Sequence, residues 1–343
     1  MIIKLFLAIT LLFSLPQKAL SIPEGQINKD WDKKLFQFME RNGKTGNFQG
    51  VDNKRINHFK IKGKGKKGAI LFVSGQGEPY IKYFELFYDL LNLGYSPIYT
   101  LDHRGQGYSE RILKDPKKGY IDYFENYIKD FSSFIEKVVL KKKNKNIFLI
   151  SHSTGGAISL LYLMENENSH RIFKKAAFCS PLIQLNTRPF NFTLTKWMAK
   201  IFCKSTFLCR MYAPGKAKFN AYESFKNNPL TSNEKRWYQT QRISKKAGDV
   251  WFNGPTMRWV NEVNKVYPRF KNFNKKIKMP FLLLQAAQDS LVKPRPQEEF
   301  CKKMNKSCKF IRIQKSRHEI LMEKDLVRNK ALKYIDHFFN SKI

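Results

Sequence analysis

What the chain lacks narrows it first. Across 343 residues no apolar run approaches the roughly 20 that a membrane-spanning helix needs, which excludes a polytopic membrane protein. Acids are scarce, 28 Asp and Glu against 63 Lys and Arg, for a formal charge of +35. That imbalance does not imply disorder, because 42% of the residues are hydrophobic and 29 are Phe. The length suits one large domain or two small ones with a substantial core. There are only five Cys and none shows C-x-x-C spacing, so no metal site is implied. No helix-turn-helix, finger or RNA-binding motif accompanies the basic charge, so nucleic acid is not an expected partner. The glycine-rich Asp102-His103-Arg104-Gly105-Gln106-Gly107 lacks a Lys-Ser/Thr continuation and a full G-x-G-x-x-G, which argues against a nucleotide loop.

Residues 1–21 read as a signal peptide. Lys4 precedes an apolar block over 5–15, broken only by Thr10 and Ser14. Pro16 ends it, and Ala19-Leu20-Ser21 puts small residues at the two positions a signal peptidase reads. The mature chain is expected to begin near Ile22, in the periplasm or outside the cell. An oxidising compartment makes local disulfides the expectation for Cys203 with Cys209 and for Cys301 with Cys308. Cys179, in Ala176-Ala177-Phe178-Cys179, reads as a lone thiol at the end of a buried strand.

Short apolar runs alternate with longer helical patterns. Strands are expected at 69–74, 97–101, 147–151, 175–179, 281–286 and 310–314, with an antiparallel pair within 46–62. Helices are expected near 82–93, 123–141, 155–165, 297–303 and 324–339. Such alternation predicts an α/β chain, a mostly parallel sheet with helices on both faces. The rhythm breaks over 185–278, which is too long for a loop and is expected to be an inserted helical subdomain. The core then comprises 22–184 and 279–343.

In an open α/β sheet, reactive groups gather at the carboxyl ends of strands. There, strand 147–151 runs into Ser151-His152-Ser153-Thr154-Gly155-Gly156 and a helix, close to the nucleophile elbow G-x-S-x-G. Small neighbours let the chain turn sharply and lift Ser153 above the sheet, and the helix N-terminus favours a developing oxyanion. A serine hydroxyl needs a base, and that base needs a carboxylate to orient it. Asp289 follows strand 281–286 and His318 follows strand 310–314, in the chain order this architecture uses. His152 is expected to point away across the elbow. The turn Ser74-Gly75-Gln76-Gly77-Glu78 offers a second oxyanion donor, with the N–H of Gln76 as partner to that of Thr154.

Four segments together carry a family resemblance: Asp102-His103-Arg104-Gly105-Gln106-Gly107-Tyr108-Ser109, the elbow, Leu283-Leu284-Gln285-Ala286 before Asp289, and His318-Glu319-Ile320-Leu321. The chain resembles the α/β-hydrolases of the monoglyceride lipase and serine aminopeptidase-like group. Tyr80-Ile81-Lys82-Tyr83-Phe84-Glu85-Leu86, Gly254-Pro255-Thr256 and His318 to Asp325 are similar to segments of its bacterial lysophospholipases. The resemblance spans about 46–339. It implies the α/β-hydrolase fold, Ser153 as nucleophile, Asp289 as acid, His318 as base, and Gln76 with Thr154 at the oxyanion hole. It further implies hydrolysis of carboxylic esters through an acyl-enzyme without a cofactor. Two positions depart from the pattern: Ser74 replaces the usual His of the oxyanion loop, and Ser151 the first Gly of the elbow.

The insertion bears on substrate. From 186 to 278 it carries 20 Lys and Arg, 4 acids and 17 aromatics. Lys196, Lys200 and Lys204 recur at four-residue spacing, with Trp197 and Ile201 in an adjacent apolar row and Met198 and Phe202 beside it. A basic, aromatic, amphipathic helix of this type suits a membrane interface. A lid carrying it would admit a single-chain lipid ester, a lysophospholipid or monoacylglycerol, from an anionic membrane surface. Lysine is also spread over the whole chain, which suits a merely solvated basic surface equally well. A short-chain carboxylesterase or an aminopeptidase would use the same scaffold, and a non-enzymatic basic protein binding nucleic acid or an anionic envelope polymer would show the same charge.

Overall fold

The computed structural model describes residues 22–142, 144–214 and 224–341. The expected signal segment, 1–21, lies outside them. Eight strands form one sheet: β1 (Gly43–Gln49), β2 (Arg55–Ile61), β3 (Ala69–Val73), β4 (Ile98–Leu101), β5 (Ile147–His152), β6 (Lys175–Cys179), β7 (Phe281–Ala286) and β8 (Cys308–Ile313). Their spatial order is β1-β2-β4-β3-β5-β6-β7-β8. Only the β1–β2 and β2–β4 pairings are antiparallel; the other five are parallel. The mostly parallel sheet is therefore as expected. The last strand begins two residues earlier than its apolar run suggests, because Cys308 pairs with Phe281 and is tied to Cys301.

Alternation within each strand explains how the helices distribute. Leu71 and Leu149 join one hydrophobic cluster, while Ile70, Phe72, Phe148 and Ile150 join the cluster on the other face. The first face is covered by α2 (Phe124–Phe134, continued by a π-helical turn over Ile135–Val139) and α3 (Ser153–Glu165). The opposite face is covered by α1 (Phe84–Asn92) and α9 (Asp325–Asn340). Helical turns over 27–42, which apolar periodicity did not reveal, add Ile27, Trp31, Leu35 and Met39 to that second face.

Between β6 and β7 the described residues contribute no strand to the sheet. They form α4 (Phe192–Phe202), α5 (Glu234–Ala247), α6 (Met257–Val263) and α7 (Val266–Asn272), before α8 (Pro294–Met304) resumes the sheet-helix alternation. Local signals set their ends. Asn191 accepts from Leu194 N at 2.7 Å to cap α4, and Asn233 accepts from Arg236 N at 3.0 Å to cap α5. The backbone after α5 turns through Gly248 at φ +60°.

Buried charge ties α5 to the core. Arg236 is fully buried; its guanidinium donates to Glu85 of α1 at 2.7 Å and to Asp325 of α9 at 2.6 Å. It also donates to the Glu323 carbonyl at 2.6 Å. Both expected disulfides, Cys203–Cys209 and Cys301–Cys308, are formed, and Cys179 is a buried free thiol that burial pushes up to about 12. Replacing Arg236 with Ala leaves buried Glu85 only the more distant Arg328, 3.7 Å away, and is expected to lower unfolding free energy by about 3–5 kcal/mol in urea titrations. A loss under about 1 kcal/mol, the scale of an exposed pair, would contradict this.

Candidate active site

Loops leaving β5, β7 and β8 converge at one edge of the sheet. At the end of β5 the backbone of Ser153 takes φ +50°, a conformation costing a non-glycine residue about 1–3 kcal/mol. Neighbours hold it there. Leu182 N donates to the Ser153 carbonyl at 2.9 Å. A Cβ on Gly155 would stand 2.3 Å from the Ser74 carbonyl oxygen, and one on Gly156 would stand 2.7 Å from Pro181 Cβ. The glycines thus let α3 press against β3 and the loop after β6. Ser151, in place of the usual glycine, is buried with its hydroxyl donating to Ser159 at 2.9 Å, so its extra atom is accommodated.

Asp289 organises the turn after β7. Its Oδ1 accepts from the Leu291 and Val292 amides at 2.9 and 3.0 Å, leaving Oδ2 2.7 Å from His318 Nδ1. His318 Nε2 lies 2.8 Å from Ser153 Oγ. The carboxylate can only accept, so Nδ1 carries the proton and Nε2 accepts from the serine hydroxyl. Burial opposes protonation of His318, but the charge and hydrogen bond of Asp289, with Glu319 and Glu78 beyond it, outweigh burial and raise its pKa above 6.5. Burial likewise opposes ionisation of Asp289; His318 and the two turn amides overcome it and hold the carboxyl below its ordinary range.

The loop after β3 is braced on every side. Ser74 Oγ donates to the Glu78 carbonyl at 2.8 Å, so the residue replacing the usual His closes the loop. Gly75 N donates to Glu78 Oε2 at 2.6 Å, and Gly77 N donates to Gln106 Oε1 at 3.0 Å. Gln106 Nε2 in turn donates to the Gly75 carbonyl at 3.0 Å. The Gln76 amide between them has no acceptor among the described residues, and Thr154 N lies in the first turn of α3, where a helix supplies none. Gln76 and Thr154 therefore both present free N–H groups beside Ser153.

Sequence reading missed this bracing. The segment that superficially suggested a phosphate loop is scaffolding. Asp102 accepts from Tyr80 N and Tyr108 N, both at 2.8 Å, and burial raises its pKa to about 7 despite those bonds. His103 Nε2 donates to the Ser74 carbonyl at 3.0 Å, and Arg104 pairs with Asp130 at 2.6 Å. A second cluster was also missed. Buried Lys82 donates to Glu78 at 2.7 Å and to Glu319 at 2.5 Å, linking the loop after β3 to the residue following His318. Burial and the neighbouring Glu78 charge raise the Glu319 pKa, whereas the charge and hydrogen bond of Lys82 overcome burial and keep Glu78 ionised. The signal for it was a Glu and a Lys four apart, the Lys inside the apolar run Tyr80-Ile81-Lys82-Tyr83-Phe84.

His152 corrects an expectation. It does not point away: its ring centroid lies 4.9 Å from that of His318, and Nδ1 donates to the Cys179 carbonyl at 3.1 Å. Burial, chiefly, pushes its pKa down to about 4, so it is neutral.

Ser153 and His318 open into a cavity of about 660 Å³. Leu182, Met198, Met257, Trp259, Val260 and Val292 are among its apolar walls. Gln76 Nε2, His152 Nε2 and both amide atoms of Gln241 are buried there without hydrogen-bond partners. No group of three or more His, Cys, Asp or Glu that could hold a metal ion occurs among the described residues.

The family model for the serine aminopeptidases, S33, matches residues 64–325. The chain belongs to that family. It is 33% identical over 273 residues to a probable lysophospholipase L2 of Haemophilus influenzae, covering 79% of this chain and 83% of that protein. It is 28% identical over 331 residues to lysophospholipase L2 of Escherichia coli, covering 92% and 96%. A soluble variant of monoglyceride lipase from Saccharomyces cerevisiae, solved with a substrate analog, shares the fold at TM-score 0.67 and 21% identity, covering 87% of this chain and 94% of that one. The α/β-hydrolase fold is thereby established.

Two outcomes follow for turnover of a chromogenic ester. His318 accepts a proton only when neutral, and its pKa is raised, so kcat/KM should fall as pH drops, with an acid-limb midpoint above 6.5. A midpoint below that value would contradict the geometry. Gln106→Ala frees both sides of the loop after β3 and is expected to reduce kcat about 10²-fold, the scale of a lost oxyanion donor, with little change in KM.

Proposed function

We propose that this protein is a serine hydrolase that cleaves the carboxylic esters of single-chain lipids, lysophospholipids or monoacylglycerols. The observation that carries this reading is the hydrogen-bonded chain from Ser153 through His318 to Asp289, opening into a mainly apolar cavity. Ser153 Oγ attacks the ester carbonyl as His318 Nε2 takes its proton, and Asp289 stabilises the resulting imidazolium. The Gln76 and Thr154 amides receive the oxyanion. On collapse, His318 returns the proton to the leaving alcohol, leaving an acyl group on Ser153. His318 then activates water, which releases the fatty acid. The lysophospholipases and monoglyceride lipase that the chain is similar to support the ester-lipid class. An aminopeptidase would need a free carboxylate to hold the substrate ammonium, yet among the described residues the two carboxylates lining the cavity, Glu78 and Glu319, share Lys82.

Residues 185–278 serve as the lid. Within them, Leu194, Trp197 and Ile201 form an exposed row on α4, joined by exposed Phe190 and Phe207, while Met198 of the same helix lines the cavity. With Lys196, Lys200 and Lys204 alongside, that face suits an anionic membrane surface, each basic residue near the leaflet adding about 1 kcal/mol. No helix among the described residues is long and apolar enough to cross a membrane. The two disulfides support export, with the mature chain starting near Ile22.

Fatty-acid release from lysophospholipid, monoacylglycerol and a short-chain ester tests the reading. Ser153→Ala should lose about 10⁴-fold or more of the lipid activity; turnover of the short ester alone would discard the lipid assignment while keeping the nucleophile. Trp197→Ala with Phe207→Ala should reduce cosedimentation with vesicles rich in phosphatidylglycerol without lowering turnover of a soluble ester.

A further inference from the structure

Among the described residues, the basic side chains lining the cavity are nearly all paired with carboxylates or neutral. Lys82 is shared by Glu78 and Glu319. Arg236 is engaged by Glu85 and Asp325. His152 is neutral. The exception is Arg188, which lines the same cavity, is exposed, and forms no ion pair among the described residues.

The backbone at Arg188 is also held in place. It sits in a tight turn in which Phe190 N donates to the Thr187 carbonyl at 3.0 Å and Thr187 Oγ1 donates to the Phe190 carbonyl at 2.9 Å. The segment leading into that turn is stitched to the loop after β7. Leu185 bridges Val292, Asn186 N donates to the Leu291 carbonyl at 2.8 Å, and Asn186 Nδ2 donates to the Ser290 carbonyl at 3.0 Å. Asp289 fixes that loop through the Leu291 and Val292 amides. One hydrogen-bonded unit thus carries both the partner of His318 and an unneutralised guanidinium.

We infer that Arg188 recognises the phosphate of the substrate head group, so that the site favours lysophospholipids over monoacylglycerols. The inference rests on the lipid-ester reading above and sharpens it. A phosphodiester brings one negative charge and two free oxygens, which the planar guanidinium matches with two parallel N–H···O bonds. A monoacylglycerol offers only neutral hydroxyls, to which an exposed cation adds little. Because the guanidinium is exposed, its attraction is screened by salt.

The test compares 1-oleoyl lysophosphatidylglycerol with 1-oleoylglycerol, which share the acyl chain and glycerol and differ by the phosphoglycerol group, whose only charge is that of the phosphodiester. In Arg188→Gln, the ratio of kcat/KM for the phospholipid to that for the glyceride is expected to fall about tenfold, through KM rather than kcat. Arg188→Lys, which keeps the charge without the fork, should recover part of the ratio. The phospholipid KM of the parent protein should rise with sodium chloride, and that of Arg188→Gln should rise much less. An unchanged ratio, or an equal fall on both substrates, overturns the inference while leaving the lipid-ester reading intact. A parent protein that releases oleate from neither substrate overturns the lipid-ester reading, and the inference with it.

Discussion

How closely α3 approaches the end of β3 governs the whole carboxyl edge of the sheet. Gly155 sets that distance, since even a methyl group there would collide with the Ser74 carbonyl. With α3 seated, Ser153 is driven into a left-handed backbone conformation that its sequence alone would not favour. The same contact brings the first-turn amide of α3 beside the Gln76 amide from the loop after β3. His318 and Asp289 then need only reach a serine whose place is already decided by backbone packing. The strain at Ser153 persists because the helix, the Leu182 amide and the neighbouring loops all over-determine it.

A second constraint is how the chain uses its few acids. Among the described residues, Glu78, Glu85, Asp89, Asp102, Asp130, Glu262, Glu319 and Glu323 are buried, while the only buried bases are Lys82, Arg104, Lys175, Arg236 and Arg328. The interior thus draws on 28 acids far more heavily than on 63 bases, which leaves the exterior more basic than composition implies. Inside, these charges act as spacers between elements remote in sequence: Arg104 with Asp130, Arg236 with Glu85, Lys82 with Glu319. Buried pairs add little net stability over apolar contacts, but breaking one is costly, so they discriminate strongly against alternative docking of the same helices.

The cavity and the helices between β6 and β7 are joined by this arrangement. α5 contributes to the cavity lining, and Arg236 fixes it to α1 and α9. α4 has a different character, capped by Asn191 and disulfide-linked just beyond its end, with its outer row exposed. One of these helices is therefore bonded to the core, while another presents apolar side chains to solvent. The unpartnered polar atoms of Gln76, His152 and Gln241 line the cavity itself.

Much of this was readable from residue patterns. Period-two and period-3.6 apolar spacing depends on local geometry alone, so the central strands and their helices stand within a few residues of where they were expected. Ser153, Asp289 and His318 stood out because each follows a strand and because small residues flank the serine. The helical turns over 27–42 escaped notice, since their burial depends on a face of the sheet supplied by strands far along the chain. The roles of Gln106, Lys82 and Glu319, and the placement of His152 against His318, were equally hidden. Sequence alone determined the fold class and the cysteine pairs, and singled out the three side chains that the structure joins in one hydrogen-bonded chain, because these follow from local spacing and residue chemistry. Only tertiary structure decided which amides are left free, which charges cancel and which cation is left over at the cavity, because each depends on contacts between loops separated by tens to hundreds of residues.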